Sequence, residues 1–259
     1  MTKAIPQNTY QDYATHYDQL WMAEREDWNR ALGRLLRSVT GRAESVCELG
    51  CGTGTRAIEF ARRGLRVFGV DLSKAMLRAA RQKARGAGVR IRFMKGDMRS
   101  FRLPERVDLI NSEWGVTNHL PRKTDLTKVA RAVRRALKPG GYYVFDVNNR
   151  AVFERDWAQT YLLETAALFF RQRGGYDARR GIGWLEVAGF APNGRGMWKR
   201  FDHRFEEVHW SRHEVVQTLR GAGFHQIRAI DFAAASANGK KVRVQQSPGS
   251  KTVYLARAK

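Results

Sequence analysis

The residues best suited to chemistry in this chain lie in a short glycine-rich stretch, CELGCGTGT, at residues 47–55. Gly50, Gly52 and Gly54 separate a predicted strand from a predicted helix, and glycine allows a tight turn and a close approach of a ligand to the backbone. Asp71 ends the next predicted strand about 20 residues further on, where a carboxylate suits the hydroxyls of a ribose. The spacing therefore predicts a nucleoside pocket at the carboxyl ends of parallel strands.

The residues around the glycines decide which nucleoside fits. A dinucleotide fingerprint has the spacing G-x-G-x-x-G and holds a pyrophosphate at a helix N-terminus, whereas this loop reads G-x-G-x-G and follows Glu48. An acidic side chain there repels a phosphate and suits a cation such as an α-amino group or a sulfonium. A P-loop is excluded because no Gly-Lys-Ser/Thr follows. The loop thus favours S-adenosylmethionine over NAD or ATP.

Alternating strand and helix signals surround this loop. Strands separated by single helices imply parallel pairing, with helices on both faces of the sheet. The predicted strands are 45–50, 66–71, 90–95, 107–111 and 142–147, and the predicted helices are 55–63, one from Ser73, and one from about Arg122 that Gly140 and Gly141 end. A last helix over 211–221, with a capping box of Ser211 and Glu214, precedes strands at 225–232 and 252–256.

The segments outside this alternation divide the chain into predicted parts. Tyr10, Tyr13 and Tyr17 share one face of a predicted N-terminal helix. Beyond Asn148, β-prone runs separated by glycine-rich turns predict an antiparallel insertion. The parts are a helical cap over 1–40, a nucleoside-binding core over 41–150, an antiparallel lid over 151–210 with strands at 162–171, 182–190 and 197–210, and a last helix with two strands over 211–259.

Six motifs in order resemble the class I, Rossmann-like S-adenosylmethionine-dependent methyltransferases of the small-molecule type. They are ELGCGTGT, VDLS at Asp71, KGDM at Asp97, VDLINSEWGVTNHL at 107–120, LKPGGYYVFDVN at 137–148 and SRHEVVQTLRGAGF at 211–224. The resemblance covers most of the chain and is weakest over 151–210. It implies an α/β fold, doubly wound around a seven-stranded, mostly parallel sheet, with the antiparallel β insertion as a lid and S-adenosylmethionine as the cofactor.

The resemblance also implies which side chains surround the cofactor. Asp71 takes the ribose hydroxyls, Leu72 packs on the adenine, and Asp97 accepts from the adenine amino group. The glycines and Glu48 surround the methionine portion, residues 112–114 lie near the methyl donor, and two tyrosines of the first helix fold over the cofactor. The full set is Tyr13, Tyr17, Glu48, Gly50, Cys51, Gly52, Gly54, Asp71, Leu72, Met76, Asp97, Met98, Ser112, Glu113 and Trp114.

Methyl transfer from S-adenosylmethionine needs few catalytic groups from the protein. The carbon is already activated by the sulfonium, so the enzyme mainly aligns the nucleophile and excludes water. No metal is needed for that step, and a base is needed only if the nucleophile carries a proton. His119 is the candidate base because it follows the fourth strand and its ordinary pKa lies near neutrality; alternatively, it caps the helix after Pro121 or lines a loop. Tyr17 orients the substrate, contacts the cofactor carboxylate or packs in the core, and Glu113 binds a substrate amine or the amino group of the cofactor.

Besides His119, other side chains are candidate substrate contacts. Asn148 and Arg150 follow the fifth strand at the edge of the pocket. His203 and His209 share one face of a predicted lid strand with two phenylalanines, because side chains alternate along a strand. That face either roofs the pocket or forms an outer surface.

The chain is strongly basic, with 47 Lys and Arg against 25 Asp and Glu and a formal net charge of +22. Such a surface attracts polyanions, so RNA is an alternative substrate, and a solvated basic exterior is the other explanation. Residues 111–114 lack the Asp/Asn-Pro-Pro-Tyr/Phe motif of nucleic-acid amino methyltransferases, and neither cysteine follows a proline. The prediction is methylation of an oxygen or nitrogen of a small molecule, with tRNA or rRNA methylation second and a catalytically silent cofactor-binding protein third.

Composition excludes several other classes. Hydrophobic residues make up 43% and charged residues 28%, as in globular rather than disordered chains. No run approaches the roughly 18 uncharged apolar residues of a membrane-spanning helix, and the N-terminus lacks an apolar signal core. The 2 cysteines cannot alone form a disulfide framework or a four-ligand zinc site. We therefore expect a cytoplasmic enzyme without a metal or a membrane partner, either a monomer or a homodimer.

Overall fold

The chain forms two β-sheets, as a computed structural model shows. The structure describes residues 10, 14, 16–41, 43–166, 168–192, 196–232 and 251–259. Within that part of the chain, one sheet has seven strands and the other has four. No helix in the described ranges is both long and apolar enough to cross a bilayer.

Helices and strands alternate along the first part of the chain. The helices are α1 (Tyr17–Thr40), α2 (Thr55–Arg62), α3 (Lys74–Gly86), α4 (Lys123–Ala136) and α5 (Arg212–Gly221). The strands are β1 (Ser45–Leu49), β2 (Arg66–Asp71), β3 (Arg92–Lys95), β4 (Val107–Ser112), β5 (Leu137–Asn148), β6 (Tyr161–Thr165), β7 (Leu168–Asp177), β8 (Ile182–Pro192), β9 (Trp198–Val208), β10 (Phe224–Phe232) and β11 (Lys251–Ala258). A 3-10 helix spans Val116–His119, and a π-helical turn spans Val152–Asp156.

The larger sheet has the order β10-β11-β5-β4-β1-β2-β3. Strands β1 to β5 run parallel, and β11 pairs antiparallel with both β5 and β10. The prediction of a doubly wound, seven-stranded, mostly parallel sheet with an antiparallel insertion is confirmed. From β1, the strands β2 and β3 extend the sheet to one side, whereas β4 and β5 extend it to the other. The strand order therefore reverses between β1 and β4, and the carboxyl ends of these two strands form the crevice where α/β proteins bind ligands.

The central strands are buried on both faces. Val46 belongs to an apolar cluster with α1, α2 and α3, whereas Cys47 and Leu49 belong to a cluster with α4 and α5. Side chains alternate across a strand, so one five-residue strand anchors helices on opposite sides of the sheet. This explains why β1 consists of buried residues throughout.

Two predicted helix boundaries differ from the structure. The helix predicted to end at Gly140 and Gly141 ends instead at Ala136, and β5 begins at Leu137. Proline at 139 explains this difference, since a residue before proline avoids the helical conformation. At the N-terminus, α1 begins at Tyr17, so Tyr10 precedes the helix rather than sharing its face. Tyr13 lies outside the described residues.

The smaller sheet is antiparallel, with the order β6-β7-β8-β9. Phe170, Leu185 and Phe205 lie on its buried face, in one cluster with Phe153 of the π-helical turn and Leu20 of α1. The opposite face exposes Phe169, Phe190 and Trp198 among others. The smaller sheet therefore has one face turned to the rest of the protein and to α1.

Candidate functional site

A cavity lies at the carboxyl ends of β1, β2, β3 and β4. Its wall is formed by the glycine loop, by residues that follow these strands, and by Tyr10 and Tyr17 from the start of the described chain. The lining residues that the sequence predicted are Tyr17, Glu48, Gly50, Cys51, Gly52, Asp71, Leu72, Met76, Asp97, Met98, Glu113, Trp114 and His119. The cavity therefore brings together most of the residues that the sequence predicted for the cofactor site.

The glycine loop and Asp71 form one hydrogen-bonded unit. Gly52 donates its backbone N–H to Asp71 Oδ2 at 2.8 Å, and Ser73 donates to Oδ1 at 2.8 Å. Burial raises the pKa of the Asp71 carboxyl, and these two amide groups oppose that rise. Gly50 has a positive φ of 66°, and a Cβ there would lie 2.6 Å from Val116. A larger residue than glycine is thus excluded where the loop passes the 3-10 helix.

Asp97 is held by a residue that sequence reasoning missed. The Arg99 guanidinium donates to both Asp97 oxygens, with Nε–Oδ1 and Nη2–Oδ2 distances of 2.9 and 2.5 Å. These hydrogen bonds lower the pKa of the Asp97 carboxyl. Both residues line the cavity, so Asp97 is an ionised acceptor there. The sequence signal for this pair was an arginine two positions after an aspartate in KGDMRS.

Glu113 is the centre of a buried network. Its carboxylate accepts from Arg56 Nε at 2.8 Å, from Trp28 Nε1 at 2.7 Å and from Asn111 Nδ2 at 2.7 Å. Burial alone would raise the pKa of Glu113, but the Arg56 guanidinium lowers it below its usual value. These three donors join α1 and α2 to β4. A direct role for Glu113 toward an amine stays a prediction, and its contacts make it an anchor of the cavity wall.

The start of α1 closes over one side of the cavity. Tyr10 and Tyr17 line the cavity and meet edge to face, with ring centroids 6.0 Å apart. Asp18 accepts from Thr53 Oγ1 at 2.7 Å and from Lys83 Nζ at 2.5 Å. The first turn of α1 is therefore tied both to the glycine loop and to α3. Sequence reasoning did not single out Asp18, because its partners are distant in the sequence.

His119 lies at the end of the 3-10 helix and lines the cavity. Burial lowers the pKa of its imidazole to about 4, so the ring is neutral at neutral pH and burial disfavours its protonated form. The alternative that His119 caps the following helix is not what the structure shows, because Arg122 is the residue before α4. Phe205 of β9 meets the imidazole at 5.8 Å between ring centroids.

Several predicted site residues do not line the cavity. Ser112 donates its hydroxyl to the Leu49 carbonyl at 3.0 Å, and Gly54 precedes α2 with a φ of 76°. Arg150 is exposed and pairs with Glu154, and the His209 backbone N–H donates to Gly181. The residues in this group are Gly54, Ser112, Asn148, Arg150, His203 and His209. Their roles toward cofactor or substrate stay predictions, as does the role of Tyr13.

Glu207 is another residue near the cavity that sequence reasoning missed. It is buried, and its carboxyl lies 3.4 Å from His119 Nε2. The alternation that placed His203 with two phenylalanines on the inner face of β9 also places Glu207 on that face. In the described ranges, no group of three or more His, Cys, Asp or Glu residues could hold a metal ion.

Known proteins match this arrangement in sequence and in fold. Residues 46–141 match the family described as "Methyltransferase domain". The "Putative methyltransferase YqeM" of Bacillus subtilis (strain 168) is 28% identical over 242 residues, covering 91% of this chain and 94% of that protein. The "dTDP-4-amino-2,3,4,6-tetradeoxy-D-glucose N,N-dimethyltransferase" of Saccharopolyspora spinosa is 31% identical over 138 residues, covering 52% of this chain and 54% of that protein.

A solved structure shares the whole architecture. The S-adenosylmethionine-dependent methyltransferase from Clostridium acetobutylicum ATCC 824 superimposes with a TM-score of 0.77 at 22% identity. The match covers 96% of this chain and 98% of that one. The match therefore includes the smaller antiparallel sheet as well as the larger one.

Proposed function

We propose, from the premise that this chain is an S-adenosylmethionine-dependent methyltransferase with a Rossmann-like core, that it methylates an oxygen or nitrogen of a small molecule. The observation that carries this proposal is the position of His119, which lines the same cavity as Asp71, Asp97 and the glycine loop. In this proposal the cap over 1–40 and the lid over 151–210 enclose the acceptor.

The residues of the cavity fit the cofactor. A Cβ on Gly52 would meet nothing within 4 Å, so the loop leaves open space beside the Asp71 carboxylate. That carboxylate is fixed by two backbone N–H groups and suits the two hydroxyls of a ribose. Glu48 is a buried acid beside the glycines and suits an amino group or a sulfonium. Asp97 supplies an acceptor for the adenine amino group.

The chemistry divides between the cofactor and the protein. When bound, S-adenosylmethionine supplies a methyl carbon whose bond to sulfur breaks, with the electron pair left on sulfur, as the lone pair of the acceptor bonds to that carbon. The protein aligns the acceptor and excludes water from the cavity. For a hydroxyl acceptor, the imidazole of His119 takes the released proton and becomes an imidazolium. For a neutral amine, the lone pair is already free and no base is needed to start the reaction.

The S. spinosa relative is named as an N,N-dimethyltransferase of a dTDP-amino sugar, which supports an amine among the acceptors to be tried. The position of His119 supports a hydroxyl, because this residue lines the cavity and is the candidate base that a hydroxyl acceptor needs. Both groups are compatible with the cavity, so the acceptor class is decided by experiment.

RNA is a second candidate substrate, and the net charge of +22 is the observation that favours it. Phosphates are attracted by such a surface whatever the base sequence. Against this candidate, residues 111–114 read NSEW, without the prolines of nucleic-acid amino methyltransferases.

The test is a transfer assay with methyl-labelled S-adenosylmethionine and a panel of acceptors. The panel contains a dTDP-amino sugar, a catechol and unmodified tRNA, and each reaction is repeated with Asp71→Ala. The proposal expects label in a small molecule with the wild-type protein and a large loss with the variant. Label in tRNA alone would replace the first candidate with the second.

A further inference from the structure

We infer that Glu207, on strand β9 of the smaller sheet, is the positioning residue of His119, holding the imidazole in one orientation and, once Glu207 is ionised, stabilising the protonated form of the ring. This inference rests on the proposed function of His119 as the base. It assigns to the smaller sheet a direct part in the chemistry, beyond covering the cavity.

The contact between the two side chains is direct and buried. Glu207 Oε1 lies 3.4 Å from His119 Nε2, with side-chain exposures of 5% and 15%. Tyr10, which lines the cavity, places its hydroxyl 3.4 Å from the same nitrogen. One nitrogen of the imidazole, Nε2, thus meets both the hydroxyl of a cavity-lining tyrosine and the carboxyl group of Glu207.

The other oxygen of Glu207 is fixed to the core. Asn148 Nδ2 donates to Glu207 Oε2 at 2.7 Å, and the Asn148 backbone N–H donates to Asn118 Oδ1 at 2.8 Å. Asn118 Nδ2 donates in turn to the Asn148 carbonyl at 3.1 Å and to the Val208 carbonyl at 2.9 Å. Asn118 precedes His119 in the 3-10 helix, and Val208 follows Glu207. Both members of the pair are therefore held by one network of asparagines.

The charged groups around the pair come from several elements. Lys251 of β11 lowers the pKa of Glu207 and Asp146 of β5 raises it, but burial is the largest influence and raises it to about 8. Lys251 and Asp146 also pair with each other at 2.9 Å. His119 faces Tyr10 and Glu207, and the Glu206 backbone also contributes to its pKa. Burial therefore favours a neutral carboxylic acid at Glu207 and a neutral imidazole at His119.

This distribution has a consequence for the charge on His119. Once Glu207 ionises, a negative charge lies 3.4 Å from Nε2, and a buried carboxylate at that distance strongly favours the imidazolium. The basicity of His119 should therefore rise as Glu207 loses its proton.

The test is a pH titration of the histidine ring nitrogens by NMR in the full-length ¹⁵N-histidine-labelled protein. The His119 signals are identified by their loss in His119→Gln. We expect an inflection of these signals near pH 8 in the wild type and its disappearance in Glu207→Gln. Glu206→Gln is the matched control, since Glu206 is the neighbouring acid and lies near Arg180 at 3.7 Å; the inflection should persist there. A wild-type titration without the inflection, or one that survives in Glu207→Gln, overturns the inference.

Two further measurements separate this inference from its premises. Calorimetry with S-adenosylhomocysteine reports whether each variant keeps its folded cofactor site, and Glu207→Asp restores the carboxyl if the amide variant is misfolded. On the acceptor found by the transfer assay, we expect Glu207→Gln to lower kcat by about 10- to 100-fold, as for other residues that orient a functional histidine, and to abolish any rise of kcat through pH 8. Unchanged kcat and pH profile in Glu207→Gln contradict the inference alone, whereas absence of any transfer by the wild type contradicts the proposed function.

Discussion

At the scale of single residues, the cavity combines fixed acids with one neutral base. Asp71 is tied to the glycine loop, Asp97 to Arg99, and Glu113 to Arg56. None of these acids can turn freely toward a ligand, so each presents a preset acceptor. His119 differs because burial keeps it neutral, and it is the candidate base of the proposed function.

The first prediction concerns His119→Ala. General base catalysis is worth roughly 10² to 10⁴ in rate, so turnover on a hydroxyl acceptor should fall by about that factor. Turnover on a neutral amine should change much less, because its lone pair needs no base. Initial rates on the two acceptor types measure the difference. His209→Ala is the control, since His209 does not line the cavity, and equal losses on both acceptors would argue against a base.

The second prediction concerns stability against pH. The pKa of Glu207 rises from 4.5 to about 8 on folding, so its contribution to stability is complete below pH 4.5 and is lost as the pH rises through 8. The pKa of His119 falls from 6.5 to about 4, so its contribution is complete above pH 6.5 and is lost as the pH falls toward 4. Between pH 6.5 and 8, Glu207 is the member of this pair that still changes stability.

Urea unfolding at pH 6.5 and pH 8.5 isolates this effect. The free energy of unfolding of the wild type should fall by about 2 kcal/mol more than that of Glu207→Gln over this range. The comparison with the variant removes the contributions of all other groups. Parallel pH dependences in the two proteins would show that Glu207 titrates normally.

At the scale of elements, the cofactor crevice could be predicted from sequence because each of its parts is local. The buried strands β1 and β2, the glycine loop between them and the start of α3 at Ser73 are all encoded within a few residues. The capping box of Ser211 and Glu214 is confirmed for the same reason. The start of β5 was missed because Gly140 and Gly141 resemble a helix end, although the helix stops earlier at the proline.

Contacts that need the folded chain could not be predicted. Arg56 and Glu113 come from different parts of the core, and Glu207 reaches His119 only because β9 packs against the 3-10 helix. No sequence period relates these residues. The alternation along β9 predicts which face Glu207 occupies, but not what that face meets.

The third prediction tests the closure by α1. Asp18 joins the first turn of this helix to Thr53 and Lys83, so Asp18→Ala should loosen the cap over the cofactor. We expect S-adenosylhomocysteine to dissociate several-fold faster, with a stability loss of about 1 kcal/mol or less because the ion pair is partly exposed. Stopped-flow displacement measures the dissociation rate.

The control is Asp202→Ala, which removes an exposed ion pair on the smaller sheet and should leave the dissociation rate unchanged. Identical dissociation rates in the wild type, Asp18→Ala and Asp202→Ala would show that Asp18 does not hold the cavity closed.

At the scale of the whole molecule, the dominant property is the net charge of +22. Much of it lies on exposed faces of α3 and α4, whose apolar faces are buried in the core. An ordinary solvated surface and a surface for polyanions have the same composition. Whether bound RNA accepts a methyl group distinguishes RNA as a substrate from RNA that only binds to the basic surface.

The fourth prediction addresses this difference. Association with tRNA should weaken by about 10³-fold or more between 50 and 200 mM salt, as for binding through several phosphates, and no methyl group should be transferred to the bound tRNA. Filter binding and label incorporation on the same samples measure both. Lys128→Gln and Arg131→Gln each replace a charged side chain of α4 with a neutral one. Both variants should make the tRNA binding constant depend less steeply on the salt concentration. Salt-resistant binding accompanied by methylation would establish RNA as the substrate.

The central claim is that the cavity around Asp71 holds S-adenosylmethionine. Calorimetry of the full chain with S-adenosylmethionine and with NAD tests it most directly, using Asp71→Ala and, as a control, Asp177→Ala, which removes a similar carboxylate–amide turn in the smaller sheet. The account predicts saturable binding of S-adenosylmethionine alone, weakened at least about 100-fold in Asp71→Ala by the loss of hydrogen bonds to a charged group, and unaltered in Asp177→Ala. Binding of NAD instead, or equal affinities in the wild type and Asp71→Ala, would contradict it.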